Sequence, residues 1–373
     1  MKIIVLGAGL VGSAIASDLA KDKGFKVTSV DLNEENLKKL KNPDIETKVV
    51  DVSIPENLTP LLKNCDIAVN ALPGFLGYST LETIINSKTD VVDLAFYAED
   101  PFKLDELAKK KNVTAIVDFG VCPGVSNIIV GKTTSFLDKT ESVKIFVGGL
   151  PQTPQGIFDY TAVFSPTDVI EEYIRPARLI SNGEMVVKPA LSEIDVIDFE
   201  HVGTLEAFNS DGLRTLLKTT KAKNMVEKTL RFPGHAKRME FLREFGFFDE
   251  EKIKIGRSKI SPMQFTSKVL EKVWHSDSDA KDFIVVKIEI TGTKRSESVK
   301  FVYSMYDKYD ERNNITAMAR TTGYSAAMGV RIIAKNLYNE KGIIPPEYIG
   351  KKEKSYNFFM SGLAERGVII KKL

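Results

Sequence analysis

The first apolar run, Lys2-Ile3-Ile4-Val5-Leu6, empties into Gly7-Ala8-Gly9-Leu10-Val11-Gly12, and a second run closes on Val30-Asp31. A buried strand, a G-x-G-x-x-G turn, an amphipathic helix from Val11 to Lys21 and a second strand ending in a carboxylate leave few alternatives to a βαβ unit. Gly7 allows the sharp turn, Gly9 leaves room for a pyrophosphate against the backbone, and Gly12 lets helix and strand pack closely. The helix N-terminus, with Leu10 and Val11 in its first turn, offers unpaired N–H groups and partial positive charge to phosphates. Asp31 is placed to accept hydrogen bonds from an adenosine ribose. Its charge would repel a 2′-phosphate, so NAD is expected over NADP.

At 373 residues the chain exceeds what one hydrophobic core commonly supports. The expected division is a dinucleotide-binding region over 1–124, a substrate and oligomerisation region over 125–323 with a helical insertion at about 212–276, and a segment over 324–373 returning to the first. A net charge of +2 with both signs interspersed gives no case for nucleic acid. No apolar run is long enough to span a bilayer, and the N-terminus enters a strand directly, so a membrane partner and a secretory signal are not expected. Cys65 and Cys122 suit neither a disulfide framework nor a metal site. A cytoplasmic protein without a metal is the expectation.

Strands and helices alternate through the first third. Helices are predicted near Glu34–Lys41, Pro55–Leu62, Tyr78–Ser87 and Pro101–Lys111, and strands near Thr47–Val50, Asp66–Ala71, Asp90–Leu94 and Thr114–Asp118. This order implies a doubly wound parallel sheet, an α/β Rossmann architecture, with ligands beyond the carboxyl ends of its strands. Those tips carry Asp51 and Val52, Ala71, Leu72 and Pro73, and Asp93 and Leu94, which join the glycine turn and Asp31 as expected cofactor contacts. After Gly124 the pattern turns to a mixed α/β domain, with short strands at Met185–Lys188 and Asp195–Phe199 and a longer pair, Lys281–Thr291 and Ser298–Asp307. Helical periodicity returns at Tyr324–Tyr338, and a closing segment, Tyr356–Arg366, is expected to fold back onto the first region.

Three groups could move protons. Asp118 opens the run Asp118–Asn127 at a strand end, Tyr97 is read as a rim aromatic with a wet hydroxyl, and His235 sits at a Pro-Gly turn. His201 and His275 are the other histidines. Arg178, Arg214, Arg231 and Arg238 could fork a substrate carboxylate.

With these residues in hand, the chain resembles the saccharopine dehydrogenase-like family, most closely its lysine 6-dehydrogenase branch. The stretches that carry the resemblance are Val5–Gly12, Asn70-Ala71-Leu72-Pro73-Gly74, Asp93-Leu94-Ala95, Asp118–Asn127, Gly148-Gly149-Leu150-Pro151, Leu205–Leu216 and Thr229–His235. The resemblance implies a homodimer or higher homo-oligomer. It also implies NAD-dependent oxidative deamination of an amino acid, L-lysine at its ε-amine, giving a cyclic piperideine carboxylate. Tyr97, Asp118 and His235 would then handle protons. Cys122, Gly124, Glu206, Asp211, Arg231 and Arg238 would meet the substrate. Saccharopine-forming relatives carry an acidic residue where this chain has Cys122 and can carry a cysteine where it has Val147. A saccharopine or carboxynorspermidine dehydrogenase, or an NAD-binding regulator without catalysis, are the rival readings.

Overall fold

The computed structural model describes residues 1–154, 156–162, 166–274 and 281–373. From the N-terminus the chain alternates β1 (Lys2–Leu6), α1 (Leu10–Leu19), β2 (Lys26–Asp31), α2 (Glu34–Lys38), β3 (Ile45–Val49), α3 (Pro55–Leu62), β4 (Ile67–Asn70), α4 (Gly74–Asn86), β5 (Asp90–Asp93), α5 (Asp105–Lys111), β6 (Thr114–Ile116) and α6 (Val125–Thr134). The helix starts are legible in the residues. Pro55 opens α3, where a missing N–H is harmless, and the Asn33 side chain accepts the Glu35 N–H at the start of α2. In β4 every side chain is buried, as a central parallel strand covered on both faces requires.

The middle of the chain contributes β7 (Lys139–Pro151), α7 (Pro166–Ile174), β8 (Ala177–Ser181), β9 (Glu184–Lys188), β10 (Asp195–Phe199), β11 (Gly203–Asn209), α8 (Leu216–Thr219), β12 (Asn224–Arg231), α9 (His235–Glu244), β13 (Ile253–Ile255), β14 (Ser258–Ile260), α10 (Pro262–Val273), β15 (Asp282–Lys294) and β16 (Glu297–Lys308). Helix α11 (Ala317–Ala334), β17 (Gly342–Ile344), α12 (Pro346–Lys351), α13 (Glu353–Glu365) and β18 (Ile370–Lys372) complete it.

Two compact units result. One takes Met1–Phe136 with Ala319–Ile369, the other Leu137–Met318 with Ile370–Leu373. The first holds an all-parallel sheet of order β17-β6-β5-β4-β1-β2-β3, in which β17 pairs with β6. Strand β1 sits where the connection reverses, which is where ligands bind such sheets. Helix α6 belongs to this unit, so the division lies beyond Gly124. The reason is packing: a Cβ on Gly131 of α6 would lie 2.2 Å from the Glu347 carbonyl of α12. Buried charge also ties the returning helices to α1. Asp18 accepts from Arg331 at 2.6 Å and from Arg366 at 2.9 Å, and Gly323 of α11 lets Ala14 of α1 approach.

In the second unit a mixed sheet runs β10-β11-β12-β7-β15-β16-β18, with β8 attached at β12 and β9 paired to β8. The long hairpin β15–β16 turns through Arg295 and Ser296, both at positive φ, as a two-residue turn matched to strand twist demands. The expected helical insertion at 212–276 needs correction. It contains β12, paired parallel with β7 at the middle of the sheet, and the hairpin β13–β14 beside helices α8, α9 and α10. Alternating residues of β12 bury Glu227 and Arg231 on one face, and that polar content disguised a core strand as an exposed segment. His275 and the end of that insertion lie outside the described residues.

Candidate functional site

The glycine turn divides its labour among three positions. Gly7, at φ +96°, donates its N–H to Val30 O at 2.8 Å, and a Cβ there would stand 2.6 Å from Ala71 O. A Cβ at Gly12 would lie 1.9 Å from Gly7 O, so only glycine lets α1 close on β1. Gly9 is different: a Cβ would meet nothing within 4 Å. It caps α1 with no side-chain hydrogen bond, and the first turn carries no acid. With no capping side chain and no acid in the first turn, the opening N–H groups of α1 and the positive end of the helix dipole behind them are a fit for an anionic diphosphate. Leu10 stands exposed beside them.

Asp31, at the end of β2, is braced by the protein. Its Oδ2 accepts the Ala8 N–H at 2.7 Å and its Oδ1 the Asn33 N–H at 2.7 Å, with Asn36 Nδ2 3.4 Å from both. The carboxylate thereby fastens the glycine turn to the β2 tip. Asp51 makes a turn of its own, accepting from Ser53 N at 3.0 Å and Ser53 Oγ at 2.6 Å, while Val52 is buried in the core. Ala71, Leu72 and Pro73 link β4 to α4, half-buried beside the glycine turn, and Ala71 N donates to Leu6 O at 3.0 Å. The next tip is tied in as well: Leu94 N reaches Asn70 O at 3.1 Å, and buried Asp93 accepts Ala95 N at 3.1 Å through Oδ1.

Asn70 is a further residue at these tips, beyond those expected from the sequence. It is wholly buried at the end of β4, its Nδ2 holds Gly77 O at 3.0 Å, and its Oδ1 has no hydrogen-bond partner among the described residues. An amide closing an otherwise apolar strand, Ile67-Ala68-Val69-Asn70, was the available signal.

Asp118 follows β6 at φ +52°, buried, with Phe119 N donating to Asp93 O at 3.0 Å. A non-glycine residue held there is a conformation the surroundings must impose. The loop it opens is closed tightly. Gly120 N bonds to Pro123 O, Val125 N to Gly120 O, and Gly124, at φ +130°, has no space for a side chain because its Cβ would lie 1.9 Å from Gly120 O. Cys122 is half-buried in this loop.

Tyr97 requires a correction. It is 1% exposed rather than on a wet rim, packed edge-on to Tyr78 at 5.6 Å and against Gly77, whose missing side chain makes room for the ring. Apolar neighbours on β5 and α4 hold it in the core of the first unit.

The second-unit candidates close on one another. His235 begins α9 with no exposure at all. Its Nδ1 lies 2.8 Å from Phe158 O, which can only accept, so Nδ1 carries the proton and Nε2 accepts from Tyr173 Oη at 2.9 Å. Burial, then the Arg231 charge, lowers its pKa to about 3. It is neutral across the physiological range, and both nitrogens are occupied. Arg231 donates through Nε to Tyr173 Oη at 3.3 Å, through Nη1 to Leu230 O at 2.9 Å and through Nη2 to Glu172 at 2.5 Å. Its guanidinium also lies 4.5 Å above the Tyr160 ring.

Glu206 accepts the Gly234 N–H at 2.8 Å and the Ala236 N–H at 2.5 Å, capping α9. Asp211 takes a bidentate fork from Arg178, at 2.9 and 2.7 Å, and Arg238 pairs with Asp159 at 2.9 Å. At the 231–236 corner Glu206 thus meets buried helix-end donors and Arg231 a carboxylate of the protein itself, whereas Arg238 and Arg178 remain partly exposed. The sequence reading passed over Glu172 and Glu227. Glu227 accepts from Ser210 Oγ at 2.7 Å and Gly212 N at 3.0 Å, and burial raises its carboxyl to about 8.

Similarity to known proteins follows this architecture. Residues 3–116 match the saccharopine dehydrogenase NADP binding domain, and residues 120–368 match the saccharopine dehydrogenase C-terminal domain. The chain is 21% identical to the mitochondrial alpha-aminoadipic semialdehyde synthase of Rattus norvegicus, over 92% of its own length and 45% of the relative. It is 22% identical to the saccharopine dehydrogenase [NADP(+), L-glutamate-forming] of Pyricularia oryzae, over 80% of this chain and 69% of that one. It thus spans about half the length of the synthases it matches. The solved apo saccharopine dehydrogenase (L-Glu forming) of Saccharomyces cerevisiae shares the fold, with a TM-score of 0.80, 16% identity, and coverage of 100% of this chain and 99% of that one. Among the described residues no helix is long and apolar enough to cross a membrane. With residues 3–116 and 120–368 matched by the two domains of one family, the chain belongs to the saccharopine dehydrogenase family.

Proposed function

We propose that the chain is a nicotinamide-dependent amino-acid oxidoreductase that oxidises an amine-bearing carbon, with L-lysine at its ε-amine as substrate, NAD as the hydride acceptor, and a cyclic piperideine carboxylate and ammonia as products once the α-amine attacks the imine carbon. The observation that carries the reading is the open, uncapped start of α1 at Gly9 beside a braced Asp31. Gly7, Gly9, Leu10, Val11 and Gly12 would hold the diphosphate, Asp31 the ribose, and the Asp51 and Ala71–Pro73 tips the flanking rings. A bound nicotinamide would accept the hydride from the carbon that bears the amine.

NAD is supported by charge. Asp31 meets any 2′-phosphate with its own negative charge, and Leu32-Asn33-Glu34-Glu35 adds two carboxylates and no cation. Lys38, the nearest cation along α2, is engaged by Glu35 at 2.8 Å and Glu34 at 3.5 Å. The names of the relatives point to NADP, so the cofactor is the sharpest point of difference from them.

An amine must lose its proton before hydride departs, and Asp118 is the residue we assign to that step. It is held at a strand tip in an imposed conformation, on the rim where ligands of such sheets bind. Tyr97 is left out because its ring belongs to the apolar core, and His235 because both its ring nitrogens are engaged by Phe158 and Tyr173.

A saccharopine-type reaction is the second reading, favoured by the named relatives. One assay separates the two: reduced-cofactor absorbance at about 340 nm with NAD or NADP and L-lysine or saccharopine. NAD reduction with lysine supports the first reading, NADP reduction with saccharopine replaces it with the second, and no turnover with any amino acid overturns both. Asp118→Asn is expected to lower kcat by roughly 10²-fold or more while cofactor affinity stays unchanged.

A further inference from the structure

The loop that Asp118 opens is clasped at both ends by a segment from far along the chain. Strand β17 pairs in parallel with β6, and Val117 N, immediately before Asp118, donates to Ile344 O at 3.1 Å. Pro345 and Pro346 then lead into α12, which packs on α6, the helix that the loop enters. Backbone meets backbone there: a Cβ on Gly131 would lie 2.2 Å from Glu347 O, and one on Gly350 2.1 Å from Ile128 O. Phe119, beside Asp118, is held as well. Its ring stands edge-on to Phe359 of α13 at 5.6 Å, and a Cβ on Gly329 of α11 would press on it at 2.8 Å.

A chain of polar groups runs through this clasp. Glu347, in the first turn of α12, is wholly buried, and so is Asn127 in the first turn of α6. Asn127 Nδ2 donates to Glu347 Oε2 at 3.3 Å, and Asn127 Oδ1 accepts from Ser126 Oγ at 3.0 Å. Ser126 N then returns to the loop, donating to Val121 O at 3.1 Å. With Glu347 as acceptor, the Asn127 amide has a single orientation, its NH2 toward α12 and its oxygen toward Ser126.

Packing alone does not call for an acid at 347. A buried carboxyl is costly to desolvate, and an apolar side chain of similar volume would fill the space without that cost. What the acid adds is direction: it fixes the first turn of α6, and with it the loop that runs into that turn. Asp118 needs such support, because a non-glycine residue at φ +52° keeps that conformation only where its surroundings over-determine it.

We propose that Glu347 is a positioning residue for the proton transfer assigned to Asp118, acting through Asn127 and Ser126 to hold the 118–124 loop in its working pose. This role rests on the function proposed for Asp118 and extends it to a second helix of the same unit.

Two substitutions separate the hydrogen bond from the volume. Glu347→Met keeps the volume and removes the acceptor, while Glu347→Gln keeps an oxygen that can accept from Asn127. With L-lysine and NAD, Glu347→Met lowers kcat by roughly 10- to 100-fold at unchanged KM and NADH affinity, the mark of a displaced base. Glu347→Gln recovers most of that turnover. In an Asp118→Asn background Glu347→Met costs nothing further, because residues that act as one unit do not add. Hydrogen exchange read by mass spectrometry is independent of turnover: the loop amides exchange faster in Glu347→Met than in wild type or Glu347→Gln, with β1–β4 unchanged. Where Glu347→Met alone does not fold, Asn127→Leu with Glu347→Met removes both polar ends together and carries the same test. A folded variant with wild-type turnover or wild-type loop exchange overturns the proposal, as does an equal loss in both backgrounds. Full turnover by Asp118→Asn instead removes Asp118 from the step, and Glu347 with it. Silence with lysine fails the substrate reading, and loop exchange then decides the role of Glu347.

Discussion

The tips of the first unit's sheet and the strand-to-helix corner of the second carry similar densities of polar residues and put them to opposite use. At the glycine turn the helix start carries no capping side chain and no acid in its first turn, and Asp31 braces the loop from the side. At the 231–236 corner the helix-end donors are capped by Glu206, the guanidinium of Arg231 is taken by Glu172, and the one histidine is neutral and enclosed. Polar density in a sequence therefore marks buried structure as readily as a site. What separates the two is whether the donors already have protein partners.

The comparison can be broken most forcefully at Glu172. Glu172→Ala leaves Arg231 buried without its counter-charge, and a loss of about 3–5 kcal/mol in unfolding free energy is expected. NADH affinity measured on the surviving folded protein should not change. A variant that keeps its stability but loses substrate affinity would return Arg231 to substrate binding.

Next in size is the pH dependence. The carboxyl of Glu227, raised to about 8 by burial, holds its proton in the folded state while the unfolded chain releases it near 4.5. Its contribution is therefore fully present below about 4.5 and is lost as pH rises toward 8. His235 runs the other way. Lowered to about 3, it stays neutral when folded while the unfolded imidazole takes a proton below about 6.5, so stability falls as pH drops from 6.5 toward 3. Urea titrations from pH 5 to 9 should show Glu227→Gln flattening the alkaline decline alone. A wild-type profile level between pH 6.5 and 8 would mean that Glu227 is ionised in the fold.

Smaller effects sharpen the contrast. Glu206→Gln weakens a charged cap on α9, and a loss of about 1 kcal/mol in thermal or urea unfolding is expected, with kcat unchanged. Asp31→Ser should shift the NADP to NAD ratio of kcat/KM by roughly tenfold toward NADP, about 1.4 kcal/mol. An unchanged ratio would remove Asp31 from cofactor choice.

How much of this was legible depended on whether a residue's role is local. The glycine turn, the strand–helix alternation and the long hairpin β15–β16 are written in neighbouring residues, because turn geometry and side-chain periodicity act over a few positions. Strand β12 was not, since its alternation buries Glu227 and Arg231, and charged side chains read as solvent-facing until their partners are known. Those partners lie far off in sequence: Glu172 is fifty-nine positions from Arg231 and Phe158 seventy-seven from His235. Tyr97 was misjudged for the same reason. Gly77, which makes its pocket, says nothing by itself.

Gly9→Asp tests the central claim most directly. The backbone there, at φ −67°, accepts any residue, a Cβ meets nothing, and aspartate caps a helix at least as well as glycine. The melting temperature should hold or rise slightly. The new carboxylate would stand where the diphosphate is expected, and like charges in contact cost several kcal/mol, so NADH binding by calorimetric titration should weaken by roughly 100-fold or more. An unaltered NADH affinity in a stably folded Gly9→Asp protein would contradict the account, because the cofactor could then not rest on the start of α1.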